Sequence, residues 1–225
     1  MSERARKHFD IRIEMLTEKY LDEAASLHQI CFPQKVETLL GKACVRDVFM
    51  ERVLGPERDT LSLIAIHQPD DRVAGYLCVS GLVPGTRSPH AFINRKVLAR
   101  HMVRQGWFRP GVWKWWGKRI RARFIKEDYN ENSVVPIPPW GSVVMVVGLH
   151  PSFRGGNVGA DLMMAIEDAA RERGARRLYL LVERTNVRAE RLYASVGWQR
   201  TSPDTDRWQI FSMQKDLVLN PEGAG

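Results

Sequence analysis

The stretch best equipped for chemistry is Arg154-Gly155-Gly156-Asn157-Val158-Gly159-Ala160, set between an apolar run and a helical pattern. Glycines let a backbone turn tightly and bring bare N–H groups up to a ligand. The first turn of a helix carries unpaired N–H groups and a partial positive charge. A glycine turn that opens a helix therefore suits a pyrophosphate, and Arg154 adds a full charge there. The same turn can also be plain punctuation, so it does not decide by itself. Two common phosphate motifs fit poorly. A P-loop needs Gly-Lys-Ser/Thr after four free positions, and no lysine follows here. A dinucleotide fold wants GxGxxG early in a long alternation of strands and helices, whereas this chain has only Gly156-x-x-Gly159, late. Downstream stand Val182-Glu183-Arg184-Thr185-Asn186, Ala189, Leu192-Tyr193 and Gly197-Trp198.

These residues need elements to hold them. Ser142-Val-Val-Met-Val-Val-Gly-Leu149 is almost continuously apolar and predicts a strand buried on both faces. The glycine turn follows it, then a helix to about Arg173, with Gly174 as its stop. Leu178–Val182 is a second buried strand, Asn186 can cap a short helix ending near Gly197, and Gln209–Met213 is a last strand. Before these, Phe9–Met15 alternates with period two, as a half-buried strand does. Thr17 is placed to cap a helix over about 18–31 that carries Leu21, Ala24, Ala25, Leu27 and His28 on one face, ended by Pro33. A second helix is predicted over about 40–54, stopping at Gly55-Pro56. Strands 60–66 and 73–83, around the Pro69-Asp70-Asp71 turn, read as a hairpin.

Residues 85–140 read as an insertion. Helical patterns run over 93–105 and 112–126, and Pro136-Ile-Pro-Pro-Trp140 fits neither a helix nor a central strand. The 55 residues between Asp71 and Glu127 hold 13 Lys or Arg and no acid. The remainder holds 21 bases against 26 acids, a balance of −5 within the total of +8. A mildly acidic domain thus carries a basic block, which can meet phosphates, acidic lipids or nucleic acid, or can be a solvated face.

With 225 residues, 44% hydrophobic and 27% charged, the chain is predicted to be a single domain, 1–225, with halves 9–84 and 141–219 around the insertion. These proportions exclude a fibrous or wholly disordered chain. No run reaches the length of a membrane span, and the N-terminus has no apolar core of a secretory signal. Cys31, Cys44 and Cys78 stand far apart, without metal-ligand spacing, so a reducing, cytoplasmic setting and no metal are expected.

Taken together, Arg154-x-x-Asn-x-Gly159, the Asn186-x6-Tyr193 spacing and the Gly197-Trp198 pair resemble the GNAT superfamily of acyl-CoA-dependent N-acetyltransferases. The likeness covers residues 142–200 and, less closely, 9–83. It implies an α+β fold with a mixed sheet whose central strands splay apart, carrying here a basic helical insertion. It implies acetyl-CoA as co-substrate, with backbone groups of Val147 and Leu149 pairing with the pantetheine arm. Arg154 and the amides of Gly155, Gly156, Asn157, Val158, Gly159 and Ala160 would hold the pyrophosphate. Asn186 would reach the pantetheine, and Tyr193 would protonate the departing thiolate. Asn157 stands where the family has glycine. Asparagine tolerates a left-handed backbone best after glycine, so the turn is expected to survive with a narrower phosphate site.

The acceptor is expected to be a small molecule with a primary amine, attacked directly, because no cysteine lies in the motif region. Many relatives that acetylate proteins place a basic carboxylate on the central strand; Ser142–Leu149 has none. Glu183, at the end of the next strand, is the candidate base and Glu37 a second, with ordinary surface carboxylates as the plainer reading. His28, His67 and His150 read as structural. The insertion can be a lid over an acidic or phosphorylated acceptor such as a nucleotide sugar, a membrane-facing surface, or a part packed by its tryptophans; the lid is favoured over membrane or nucleic acid. A faint likeness around Phe32-Pro33 and Leu40-Gly41-Lys42 to acetyltransferases encoded with bacterial polysaccharide pathways points the same way. The alternative to an enzyme is a non-catalytic acyl-CoA-binding module that docks through the basic block. Nothing in the sequence points to an oligomeric state.

Overall fold

The computed structural model describes residues 7–54, 59–82, 95–124, 141–201 and 210–217. The expected helix stop at Gly55-Pro56, the start of the basic block and the Pro136–Trp140 run lie outside them. Strand β1 (Ile11–Met15) leads through a short 3-10 turn into α1 (Leu21–Cys31). Helices α2 (Val36–Leu39) and α3 (Lys42–Leu54) follow, then β2 (Thr60–His67), β3 (Arg72–Ser80), α4 (Arg95–Gln105) and α5 (Pro110–Phe124). The second half holds β4 (Ser142–Leu149), α6 (Val158–Glu172), β5 (Arg177–Glu183), α7 (Val187–Ser195), β6 (Gln199–Arg200) and β7 (Ile210–Asp216). The strands form one mixed sheet in the order β1-β2-β3-β4-β5-β7-β6.

The elements differ from expectation in several places. Thr17 makes no side-chain cap; the chain enters α1 through the 3-10 turn Glu18–Tyr20. The helix expected over 40–54 is α3, starting at Lys42; the short α2 before it was not expected, and Gly41, with φ of 100°, separates the two. β6 is only two residues long, too short to leave a periodic pattern.

Each face of the sheet has its own core. Leu16, Leu21, Ala24, Val45 and Phe49 pack with Ile64, Ile66, Tyr76 and Cys78 on one face. Val158, Leu162, Met163, Ile166 and Tyr193 pack with Leu77, Leu180 and Val182 on the other. The α4–α5 hairpin sits against α2 and α3, with Leu40, Cys44 and Val112 buried and Trp115 half-buried between them. His101 Nε2 meets Asp47 Oδ2 at 2.8 Å, and Arg109 donates to the Leu39 carbonyl at 3.3 Å. Trp113 and Trp116 are exposed, whereas Trp115 packs into this cluster. Among the described residues no helix is long and apolar enough to cross a membrane.

The sheet opens at its centre. β4 and β5 pair in parallel only where Ser142–Val144 lie beside Leu178–Leu180. At that same point the register with β3 jumps from Val146 to Val144 across Cys78 and Val79, which leaves Met145 as an extra residue. A bulge bends its strand and increases local twist, and here it turns β4 away from β5. Ser142–Val144 are buried, but Met145–Val147 are only half-buried. The strand expected to be covered on both faces is therefore half open, because its second part borders a gap.

Candidate active site

The gap between β4 and β5 is a cleft of about 550 Å³. His28, Cys31, Phe32, Lys35 and Glu37 border it from α1, α2 and the link between them; Asn186, Ala189 and Tyr193 border it from α7 and its cap. It therefore reaches from one face of the sheet to the other. His150 N–H donates to the Ala74 carbonyl at 2.9 Å. Strand peptides alternate direction, so Gly148 also faces β3 and the peptide groups of Val147 and Leu149 point away, across the gap. Leu149 O accepts from Arg154 Nε at 3.2 Å and from the Cys31 thiol at 3.4 Å. Cys31 thereby joins the glycine turn to the cleft, and burial pushes its thiol pKa up.

The glycine turn leads into the 15-residue α6. Gly155 has φ of 82° with open space where a Cβ would lie. Gly159 serves a close approach: a Cβ there would stand 2.8 Å from Leu192 Cδ2 and 3.0 Å from Leu149 Cδ1. Asn157 departs from expectation. Its φ of −76° and ψ of −25° are right-handed, so no left-handed tolerance is needed. Its side chain is committed to the N-terminal segment. Phe9 N–H donates to Asn157 Oδ1 at 2.8 Å, and Asn157 Nδ2 donates to Phe9 O at 3.2 Å and to Asp161 Oδ2 at 2.5 Å. The turn is stapled to the residues before β1.

Among the expected site residues, Val147, Glu183, Asn186 and Tyr193 come together at the cleft. Leu149 and the turn Arg154–Ala160 lie beyond its lining, joined to it through Cys31. Asn186 caps α7, accepting the Ala189 N–H at 3.2 Å. Tyr193 is 9% exposed, and burial pushes its phenol up to about 12; it stays protonated at neutral pH. Glu183 is exposed at the end of β5. Glu37, the second carboxylate, is not on the surface: it is 2% exposed and meets His28 Nε2 at 3.2 Å. His28, read from sequence as structural, borders the cleft and reaches the Tyr76 hydroxyl at 2.6 Å through Nδ1. The available signal was its place on the apolar face of α1, which a packed histidine shares.

Residues 122–198 match the family model described as acetyltransferase (GNAT) family. No sequence among the curated proteins matches. Solved structures share the fold. The aminoglycoside 6'-acetyltransferase type Ii superposes with a TM-score of 0.55 at 12% identity, over 93% of this chain and 99% of that one. The ribosomal-protein-S18-alanine N-acetyltransferase from Escherichia coli gives 0.52 at 12%, over 96% and 99%. The PaiA N-acetyltransferase from Thermoplasma acidophilum, solved with coenzyme A, gives 0.52 at 14%, over 92% and 99%. These names differ in acceptor, so the shared fold leaves the acceptor open. Residues 122–198 thus resemble the GNAT acetyltransferase family, and the chain shares the fold of these solved acetyltransferases.

Proposed function

We propose that this protein moves an acetyl group from acetyl-CoA to a primary amine of a small acceptor by direct attack, as one domain whose basic insertion flanks the acceptor side. The observation that carries the reading is the gap itself, bordered by the peptides of Val147 and Leu149 that turn away from β3 and followed by a glycine turn at a helix N-terminus. Val147 and Leu149 would pair with the pantetheine arm as an added strand. Arg154 and the amides from Gly155 to Ala160 would hold the pyrophosphate, where N–H groups and charge favour an anion. Gly155 leaves that approach open, and Asn157 holds its side chain aside. Asn186 would meet the pantetheine with its Nδ2 while Oδ1 keeps the cap.

Acetyl-CoA supplies an activated thioester. Peptide N–H groups fixed along β4 would stabilise charge developing on the carbonyl oxygen. Tyr193, held protonated by burial, starts in the form an acid requires and would give its proton to the leaving sulfur. Glu183 and Glu37 are the carboxylates bordering the cleft and so the groups available to take the acceptor's proton. The α4–α5 hairpin, beside α2, would face an acidic or phosphorylated acceptor with its bases. A preferred acceptor that is neutral and unphosphorylated would remove that part of the reading.

Thermal unfolding with and without acetyl-CoA tests the donor site. A ligand at 100 times its dissociation constant stabilises by about 2.7 kcal/mol. A clear rise in midpoint, reduced in Arg154→Ala and kept in Tyr193→Phe, supports the assignment. No shift at millimolar acetyl-CoA overturns it.

A further inference from the structure

One buried carboxylate oxygen of a residue beside the cleft has no partner among the described residues. Glu37 is the second residue of α2 and 2% exposed. Its Oε1 faces His28 Nε2, while Oε2 is buried and meets no hydrogen-bond donor among the described residues. Such an oxygen is costly to leave unsatisfied, and here it belongs to a residue that borders the cleft. A cationic guest would supply the missing donor.

The rest of the group is firmly built. The His28 ring lies against Phe32, with centroids 4.9 Å apart, and edge-on to Phe49 at 5.9 Å. Burial drives the Tyr76 phenol well above its ordinary range, so it keeps its proton. The network then assigns the histidine tautomer: Tyr76 O–H donates to His28 Nδ1, and His28 Nε2–H donates to Glu37 Oε1. A carboxylate held this way is oriented, and its second oxygen is left to accept. Gly148 makes room for the chain. It pairs with Tyr76 across β3 and β4, and a Cβ there would fall 2.3 Å from Tyr76 Cε1. Glu183 differs: it is exposed and already solvated.

We propose that Glu37 Oε2 seats the acceptor's ammonium group and removes its proton, with His28 and Tyr76 as positioning residues, so that the acceptor is an alkylamine charged at neutral pH. The inference rests on the acetyl-transfer reading. The ammonium gives one proton to Glu37 and becomes a neutral amine. Its nitrogen bonds to the thioester carbon, the carbon–sulfur bond breaks, and the nitrogen's surplus proton is balanced by the one that the thiolate receives. The products are an N-alkylacetamide and free CoA thiol, and Glu37 returns its proton to solvent.

Two small probes separate a base from a structural residue. Methylamine is protonated at neutral pH; methoxyamine, close to it in size, is neutral. Acetylation of each by the full chain is followed in wild type, Glu37→Gln, Glu37→Asp and Glu183→Gln, with the acetyl-CoA midpoint shift recorded for all. Glu37→Gln is expected to lower kcat/KM for methylamine about 100-fold, as loss of a general base does, and for methoxyamine by less than about 3-fold. Glu37→Asp keeps the charge and should lose less; it stands in if Glu37→Gln does not fold. His28→Leu should depress the methylamine-to-methoxyamine ratio through kcat more than KM, and His28→Gln, which keeps a donor for Oε1, should restore it. Equal losses on both probes, a larger methylamine loss in Glu183→Gln, or no acetylated methylamine from a wild type that still binds acetyl-CoA would each overturn the proposal. A wild type with no acetyl-CoA shift would instead remove the acetyl-transfer reading beneath it.

Discussion

At the scale of single residues, burial separates groups that look alike in sequence. Glu183 and Glu37 are both carboxylates near helix or strand ends. One is solvated; the other is enclosed, with one oxygen that meets no donor among the described residues. Tyr193 and Tyr76 are both buried phenols raised by desolvation, yet Tyr76 is tied to His28 whereas Tyr193 borders the cleft from α7. Tyr193→Phe should therefore lower kcat by about 100-fold, the usual loss of a proton donor, while the acetyl-CoA midpoint shift stays as in wild type. Initial rates of CoA release and thermal melts check both halves. An unchanged rate would remove Tyr193 from the chemistry.

At the scale of elements, close approaches decide which glycines matter. Gly148 lies under the Tyr76 ring, and the contact is with an aromatic packed on both sides. Gly148→Ala is overpacking of a filled core, and it should destabilise by about 1–3 kcal/mol, read from denaturant midpoints. The β2–β3 hairpin gives a pH-dependent prediction. A hydrogen bond from His67 holds the Asp70 carboxyl below its ordinary range, and one from Lys19 does the same for Asp71. Groups with lowered values lend stability that is complete above the unfolded value and is lost as pH falls through the folded one. The thermal midpoint should thus drop on acidification below the carboxylate range, and Asp71→Asn should show a shallower drop. The effect is small, since these pairs are exposed.

At the scale of the whole molecule, a buried carboxylate ties α6 to the far edge of the sheet. Glu167 is 4% exposed. It accepts from Trp198 Nε1 at 2.8 Å and from Lys215, which also donates to the Val196 carbonyl. The aromatic of the Gly197-Trp198 pair is thus a strut between α6, α7 and β7. Glu167→Ala would leave Lys215 and the indole N–H without their acceptor, and should cost about 3–5 kcal/mol, as breaking a buried pair does. Chemical denaturation measures it. Turnover per folded molecule should hold, because Glu167 does not border the cleft.

Most of the elements, and the motif, were legible in the sequence. β4 spans the predicted residues, α7 begins at its predicted Asn186 cap, and α6 ends at Gly174, which has φ of 81°. These follow from patterns a few residues long: an apolar run, a polar cap, a glycine that accepts a left-handed backbone. Tertiary structure decided what distance along the chain conceals. The bulge at Met145 depends on how β4 meets β3, and it opens the gap. In sequence Asn157 stands in for a glycine, but its amide is engaged by Phe9, 148 positions away. In sequence His28 is a helix-face histidine and Glu37 a second candidate base beside the plainer reading of a surface carboxylate; the fold brings them to 3.2 Å beneath Tyr76. Local propensity acts through neighbours in sequence, whereas burial, and with it the chemistry of a carboxylate, is set by whatever the fold packs around it.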